Sequence, residues 1–221
     1  IKKLLLNSGL KITSNLVLRV NDLFMNIKKK VMKEKIFYIE ADYLWGRKNK
    51  LFGWRSKIDN YSLILGAGIH VIDLVMWLLK KRPHSVYAVA NNIVTSTTTF
   101  KKNSMALIVL EFPGNIIAKI TANAVAIHEH FHEIKVFTDN KTINNTLNGS
   151  FTFTKDTFKK NKYSYPDKTN RKNLIQNFLD CIANNKKKPI ISKKEQFDLM
   201  SVCFAAENSI KKNKKIKIKY I

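Results

Sequence analysis

The chain has only two cysteines, Cys181 and Cys203, in 221 residues. That is too few for a disulfide framework. Both fall in helical patterns, so they read as reduced packing residues of a cytoplasmic protein. With 7 Gly and 4 Pro, the composition is neither fibrous nor disordered. No apolar run approaches the ~20 residues of a membrane-spanning helix, so no membrane partner is expected. The opening Lys2-Lys3-Leu4-Leu5-Leu6 is too short in apolar residues for a signal peptide. Acid is scarce as well: 16 Asp+Glu stand against 40 Lys+Arg, a formal net charge of +24. Such a balance invites a nucleic-acid reading. Lysine far outnumbers arginine, however, and Asn and Ile are abundant, as the codon bias of an AT-rich genome produces. Base readout leans on arginine, and single-strand binding on aromatics interleaved with basic residues. Neither pattern is evident, so no nucleic-acid partner is expected.

What is present fits a packed domain: 45% hydrophobic residues, including 13 Phe. Lys2–Asn7 reads as a helix end, and 11–17 (KITSNLV) as a short strand. An amphipathic helix over 22–33 precedes a long strand over 36–45, then a polar loop to Tyr61. A helix over about 69–80 ends at Arg82-Pro83. Strands follow over 85–91, 105–112, 115–123 and 132–138, with Pro113-Gly114-Asn115 as a hairpin turn and a shorter strand over 151–153. Two helices, about 170–185 and 194–211, and a strand over 216–220 close the chain; Ser192 with Glu195 has capping-box spacing. The expected fold class is α+β: a large, mainly antiparallel open sheet with helices on one face.

The densest chemical signal is Gly66-Ala67-Gly68 leading into His70 and Asp73. Small residues permit a tight turn and close approach. His70 and Asp73, three apart, share a helix face and could form a proton-transfer group with its orienting partner. Equally, they could be a satisfied helix-start histidine and an acid favoured by the helix dipole. His128, His130 and His132 alternate, which would point them to one side of a strand. Without an accompanying cysteine they suggest a substrate pocket or a subunit interface more than a metal, with His132 the residue of interest. Tyr43 and Arg47 end the long strand and could line a substrate site, or be ordinary strand-end residues.

These blocks resemble the C-terminal part of the glucose–fructose oxidoreductase / inositol dehydrogenase (Gfo/Idh/MocA) family. Residues 14–19 (SNLVLR) look like the last strand of its dinucleotide-binding domain. Gly53-Trp54-Arg55 is similar to its Trp-Arg segment, Gly66 to Asp73 to its G-G-G…H-x-x-D signature, and 201–220 to its closing helix and strand. The resemblance implies a Rossmann remnant over 1–20 and an α+β substrate and oligomerisation domain over 21–221. It implies an NAD- or NADP-dependent oxidoreductase acting on a sugar, nucleotide sugar or inositol-like polyol, assembled as a homo-oligomer through the open sheet. His70 and Asp73 would be catalytic, and Tyr43, Arg47 and His132 would bind substrate. Trp54, Arg55, Asn15 and Arg19 would lie near the cofactor; Trp54 and Arg55 could equally be a loop pair packed on the sheet edge, and Arg19 a link between domains.

Ile1 is not a methionine, and neither G-x-G-x-x-G nor the family's Glu-Lys-Pro motif is present. A missing front portion is therefore expected, with the chain inactive alone. Where many relatives carry aspartate four residues before the motif histidine, this chain has Gly66. A non-catalytic module for oligomerisation or sugar binding is the alternative.

Overall fold

The computed structural model describes residues 2–163, 165 and 170–221. It contains a nine-stranded sheet built from β1 (Ile36–Leu44), β2 (Ser85–Asn91), β3 (Met105–Phe112), β4 (Ile116–Asn123), β5 (Phe131–Thr138), β6 (Thr142–Thr146), β7 (Gly149–Phe153), β8 (Phe158–Lys160) and β9 (Ile216–Lys217). The spatial order is β8-β7-β6-β5-β1-β4-β3-β2-β9. Every pairing is antiparallel except β1 with β4. The α+β expectation is met. Helices α1 (Lys2–Asn7), α2 (Asp22–Val31), α3 (Ile69–Leu79), α4 (Asn170–Ala183) and α5 (Lys193–Lys212) complete it.

Alternation explains the layering. In β1, Ile39, Ala41 and Tyr43 are buried, while Tyr38, Glu40 and Asp42 lie on the open face. β3 and β4 repeat the pattern, so α3 packs on β1 and β4, and α5 on β2, over one continuous apolar surface. The β3–β4 hairpin turns where Gly114 and Asn115 both take positive φ, a conformation open to glycine and tolerated by asparagine. Helix α5 starts with the expected reciprocal capping box of Ser192 and Glu195. Cys181 and Cys203 are both free and buried.

Two expectations differ. Residues 11–16 form no strand, and Val17–Val20 is a short 3-10 turn. A strand persists only where its backbone groups pair with a neighbour, and no described segment pairs with this one. The segment also turns early because Asn21 caps α2, its side chain accepting from the Leu23 and Phe24 amides. The closing strand is just two residues long, Ile216–Lys217, held antiparallel to β2.

The β1 end that will prove important is fixed by Gly46. Its φ is +56°, and an added Cβ would overlap the His128 carbonyl oxygen and sit 2.8 Å from the Glu129 carbonyl carbon. Gly46→Ala is therefore expected to cost roughly 2 kcal/mol or more. Urea denaturation checks it, and a change within experimental error would show that the two loops are not locked together.

Candidate active site

One end of the sheet gathers an aromatic and imidazole cluster beneath the helices. Tyr43 ends β1, His132 lies directly opposite it in β5, and His130 precedes that strand. His70 comes down from the first turn of α3, and Tyr165 joins from the segment after β8. Tyr43 is the hub: its ring stacks on His70 at 5.9 Å, and lies 5.1 Å from His130 and 4.8 Å from His132. His130 and His132 are 4.8 Å apart between ring centres.

The small residues ahead of His70 do what their size allows. Ile64–Gly68 forms a wide π-type turn leading into α3. A Cβ on Gly68 would touch the Ala122 methyl of β4 at 3.4 Å, so the helix start is seated against the sheet. That seating delivers His70 to Tyr43.

Burial sets the electrostatics. His132 is 4% exposed, and desolvation holds its pKa well below the usual histidine range, with His130 and His70 adding in the same direction. Burial, then the charges of His130 and Arg171, takes His70 down to about 4. His130 is lowered by burial and then by Arg47. Burial raises Tyr43 to about 12 and drives Tyr165 up as well. All five groups are thus neutral near pH 7. Tyr165 and His132 share a hydrogen bond, satisfied with the hydroxyl donating to Nδ1 and the ring proton on Nε2. Three ring nitrogens, His70 Nδ1, His130 Nδ1 and His132 Nε2, have no hydrogen-bond partner among the described residues. Buried polar atoms of that kind are normally satisfied, so each is an unmet hydrogen-bonding demand among the described residues.

Asp73 is elsewhere. Its carboxylate takes two hydrogen bonds from Arg19, Nε to Oδ2 at 2.9 Å and Nη2 to Oδ1 at 2.6 Å, and Arg19 also pairs with Glu195. Asp73 therefore does not orient His70: positions three apart on a helix differ by about 60°, enough to send the two side chains into different neighbourhoods. Burial opposes the Arg19 charge, but the hydrogen bonds and charges of Asp73 and Glu195 outweigh it and raise its pKa. Burial likewise pushes the Asp73 carboxyl up and Arg19 pulls it down; a guanidinium that cannot deprotonate keeps the pair ionised. So engaged, Arg19 is not available to a cofactor.

Of the other residues picked from the sequence, Tyr43 and His132 lie in the cluster, and Arg47 is exposed, its charge bearing on His130. Asn15 is exposed and makes no contact with the cluster rings. Trp54 is 59% exposed, with the Arg55 guanidinium 4.2 Å over its ring and 5.0 Å from Trp45. His128 bonds only its neighbour's carbonyl. Among the described residues, no three His, Cys, Asp or Glu side chains converge as a metal site. Tyr165 was not legible as a site residue, since it reaches the cluster through tertiary packing alone. The described residues do not fit a dinucleotide: the glycines at 66–68 sit in a helix-entry turn packed on Tyr61 and Ala122, with no strand leading into it.

Fold and site together define an α+β domain: an open sheet with a solvent-facing side, and a buried imidazole–phenol cluster at one end of the covered side. A family model described as the GFO/IDH/MocA C-terminal domain matches residues 34–144. The chain belongs to that family. Similar folds occur in a myo-inositol 2-dehydrogenase from Lactobacillus plantarum (TM-score 0.76, 18% identity, 94% of this chain and 65% of that one). They occur also in a scyllo-inositol dehydrogenase from Lactobacillus casei solved with NAD(H) and scyllo-inositol (0.76, 14%, 97% and 66%). A third is a UDP-N-acetylglucosamine 3-dehydrogenase from Acidithiobacillus ferrooxidans (0.71, 18%, 89% and 60%). The chain spans less than two thirds of each of these structures, and at such identities the likeness is one of fold. No curated protein matches the chain by sequence.

Two outcomes follow from the electrostatics. Arg19→Leu leaves Asp73 buried without a counter-charge and is expected to cost about 3–5 kcal/mol, read by denaturant unfolding. A loss below 1 kcal/mol would show that the pair is incidental. The histidines are lowered from 6.5 in the folded state, so between pH 6.5 and about 4 the unfolded chain binds more protons. Stability is then full above pH 6.5 and falls on acidification through that window. His132→Gln should flatten this part of the stability curve; parallel curves for both proteins would remove His132 as its source.

Proposed function

We propose that this chain is the substrate-binding part of an NAD- or NADP-dependent oxidoreductase acting on a secondary alcohol of a sugar, nucleotide sugar or inositol-like polyol. The observation that carries this reading is His70: a neutral imidazole at a helix start, braced by Tyr43, with Nδ1 unpartnered and two further ring nitrogens of the cluster also without a partner among the described residues. Oxidation of an alcohol carbon requires removal of its hydroxyl proton, and in this reading His70 accepts it. His132 Nε2 and His130 Nδ1 supply hydrogen bonds to neighbouring hydroxyls, and Tyr43 offers a ring face to the carbon skeleton. The dinucleotide's phosphates are left to residues outside this chain.

Assembly is part of the proposal. The open sheet face carries exposed Tyr87, Val89 and Ile117, and the aromatic trio Phe151, Phe153 and Phe158, around a band where Lys119 and Lys135 pair with Glu40. A second copy of the chain is the occupant assigned to it. The second reading, a non-catalytic sugar-binding or assembly module, draws on one observation: the space a residue-66 side chain would use is filled by the Tyr61 ring, whose Cζ is 2.8 Å from a Cβ built there.

The test joins this domain to a dinucleotide-binding half and follows NAD(P)H with inositols and nucleotide sugars. His70→Ala should lower kcat by about 100-fold or more while cofactor affinity stays nearly intact. Unchanged kcat would take His70 out of the mechanism, and no turnover of any sugar alcohol would favour the module.

A further inference from the structure

We propose that a cavity at the C-terminal end of α3 binds a phosphoryl oxyanion, either inorganic phosphate or the phosphoryl group of a small organic ester. It lies at the other end of α3 from His70, and it does not depend on the role proposed for that histidine.

The cavity has a volume of about 500 Å³ and opens between α2, the end of α3 and the start of α5. That is the size of a small-molecule site. Six cations line it: Arg19, Lys28, Lys80, Lys81, Arg82 and Lys194. Only three carboxylates face them, and each is already taken. Asp73 holds Arg19 through both oxygens, and Glu195 accepts from Arg19 while closing the capping box with Ser192. Asp198 pairs with Arg82 at 3.2 Å and with Lys194 at 2.6 Å. Lys81 donates to the Pro113 carbonyl oxygen at 3.1 Å. Two ammonium groups are left over, Lys28 and Lys80, with no hydrogen-bond acceptor and no ion pair among the described residues.

Both leftover charges work against their surroundings. Lys80 ends α3 with φ +51°, the left-handed conformation that glycine adopts without strain at a helix end. Lys28 is half-buried, its Nζ 3.6 Å from the centre of the Trp77 ring. The ring face attracts the ammonium, but burial opposes it, and the charges of Lys80 and Arg19 add to that. The result is an amine whose pKa is lowered to about 8. A neutral ligand would leave these like charges unopposed, and a metal cation would find every described carboxylate of the cavity engaged. An oxyanion supplies the missing counter-charge. A phosphoryl group offers several acceptor oxygens to ammonium groups, which bind it as point charges with rotatable donors. Met76, Trp77 and Ile190 add an apolar wall for an organic body attached to it.

The experiment is calorimetric titration of the 221-residue chain at pH 8 with inorganic phosphate and with phenyl phosphate, in buffers of different ionisation heat. One saturable site is expected, taking up as much as about half a proton per anion, because the anion raises the pKa of a half-charged Lys28. Lys28→Met keeps the packing of the stem on Trp77 and should abolish the uptake while weakening binding about tenfold. Lys80→Gly relieves a left-handed lysine, so the fold is kept, and should weaken binding to a similar degree. The control removes two exposed charges elsewhere, Lys186→Met with Lys188→Met, and should leave affinity within about twofold. Tighter binding of phenyl phosphate identifies an organic ester as the occupant, and equal or tighter binding of phosphate the free ion. An equal loss in the control overturns the site, since it reveals only the general attraction of a chain of charge +24. Affinity and proton uptake that survive both Lys28→Met and Lys80→Gly overturn it too, as does the absence of saturable binding of either anion at millimolar concentration. His70→Ala should change nothing; loss of binding in that variant would put the anion at the imidazole cluster and overturn the assignment to this cavity.

Discussion

The buried ion pair between Arg19 and Asp73 is the contact from which the rest of the site takes its geometry. It joins three pieces of chain far apart in sequence: the turn before α2, the middle of α3 and, through Glu195, the start of α5. Two parallel hydrogen bonds to one carboxylate fix rotation as well as distance. With Asp73 committed to that side, the rotation of α3 about its own axis is set, and His70 one turn earlier can only face the sheet end where Tyr43 waits. A buried pair of this kind stabilises little compared with a well-packed apolar alternative, because desolvation offsets most of the attraction. Its value here is specificity of orientation.

That orientation places an imidazole where water is scarce. Histidines in water are charged about as often as not near their ordinary pKa, but desolvation dominates in this pocket and every nearby charge pushes the same way. The cluster remains neutral because no described carboxylate offers a rebate for charging it. Neutral imidazoles and phenols both donate and accept hydrogen bonds. A site lined by them can meet a hydroxyl in either role.

Much of the architecture was legible because local signals were strong and mutually consistent. Alternation in β1 and in β3–β4, the glycine–asparagine turn, the run of apolar residues in α3 and the capping box of α5 each carry their own physical cause. The strand expected over 11–17 failed because β propensity without a partner strand decides nothing. β6, with the sequence TINNT, carries little strand propensity and exists because β5 and β7 pair with it on both sides. The site was half visible for the same reason. Helical spacing says which residues share a face, not what that face meets, so His70 could be found and the partner of Asp73 could not. Tyr165 is invisible in one dimension, being brought to the cluster by chain that follows the sheet.

Gly66 shows how a residue that removes chemistry can be part of a coherent pocket. Any side chain there would collide with Tyr61, whose ring in turn stands edge-on to Trp54 and Phe100. The aromatic wall and the glycine are therefore one feature: the ring needs the room, and the glycine provides it. The consequence is electrostatic. A carboxylate at residue 66, on the helix entry just before His70, would have drawn the imidazole toward the charged form. With an aromatic wall in its place, burial and the neighbouring charges of His130 and Arg171 keep His70 neutral.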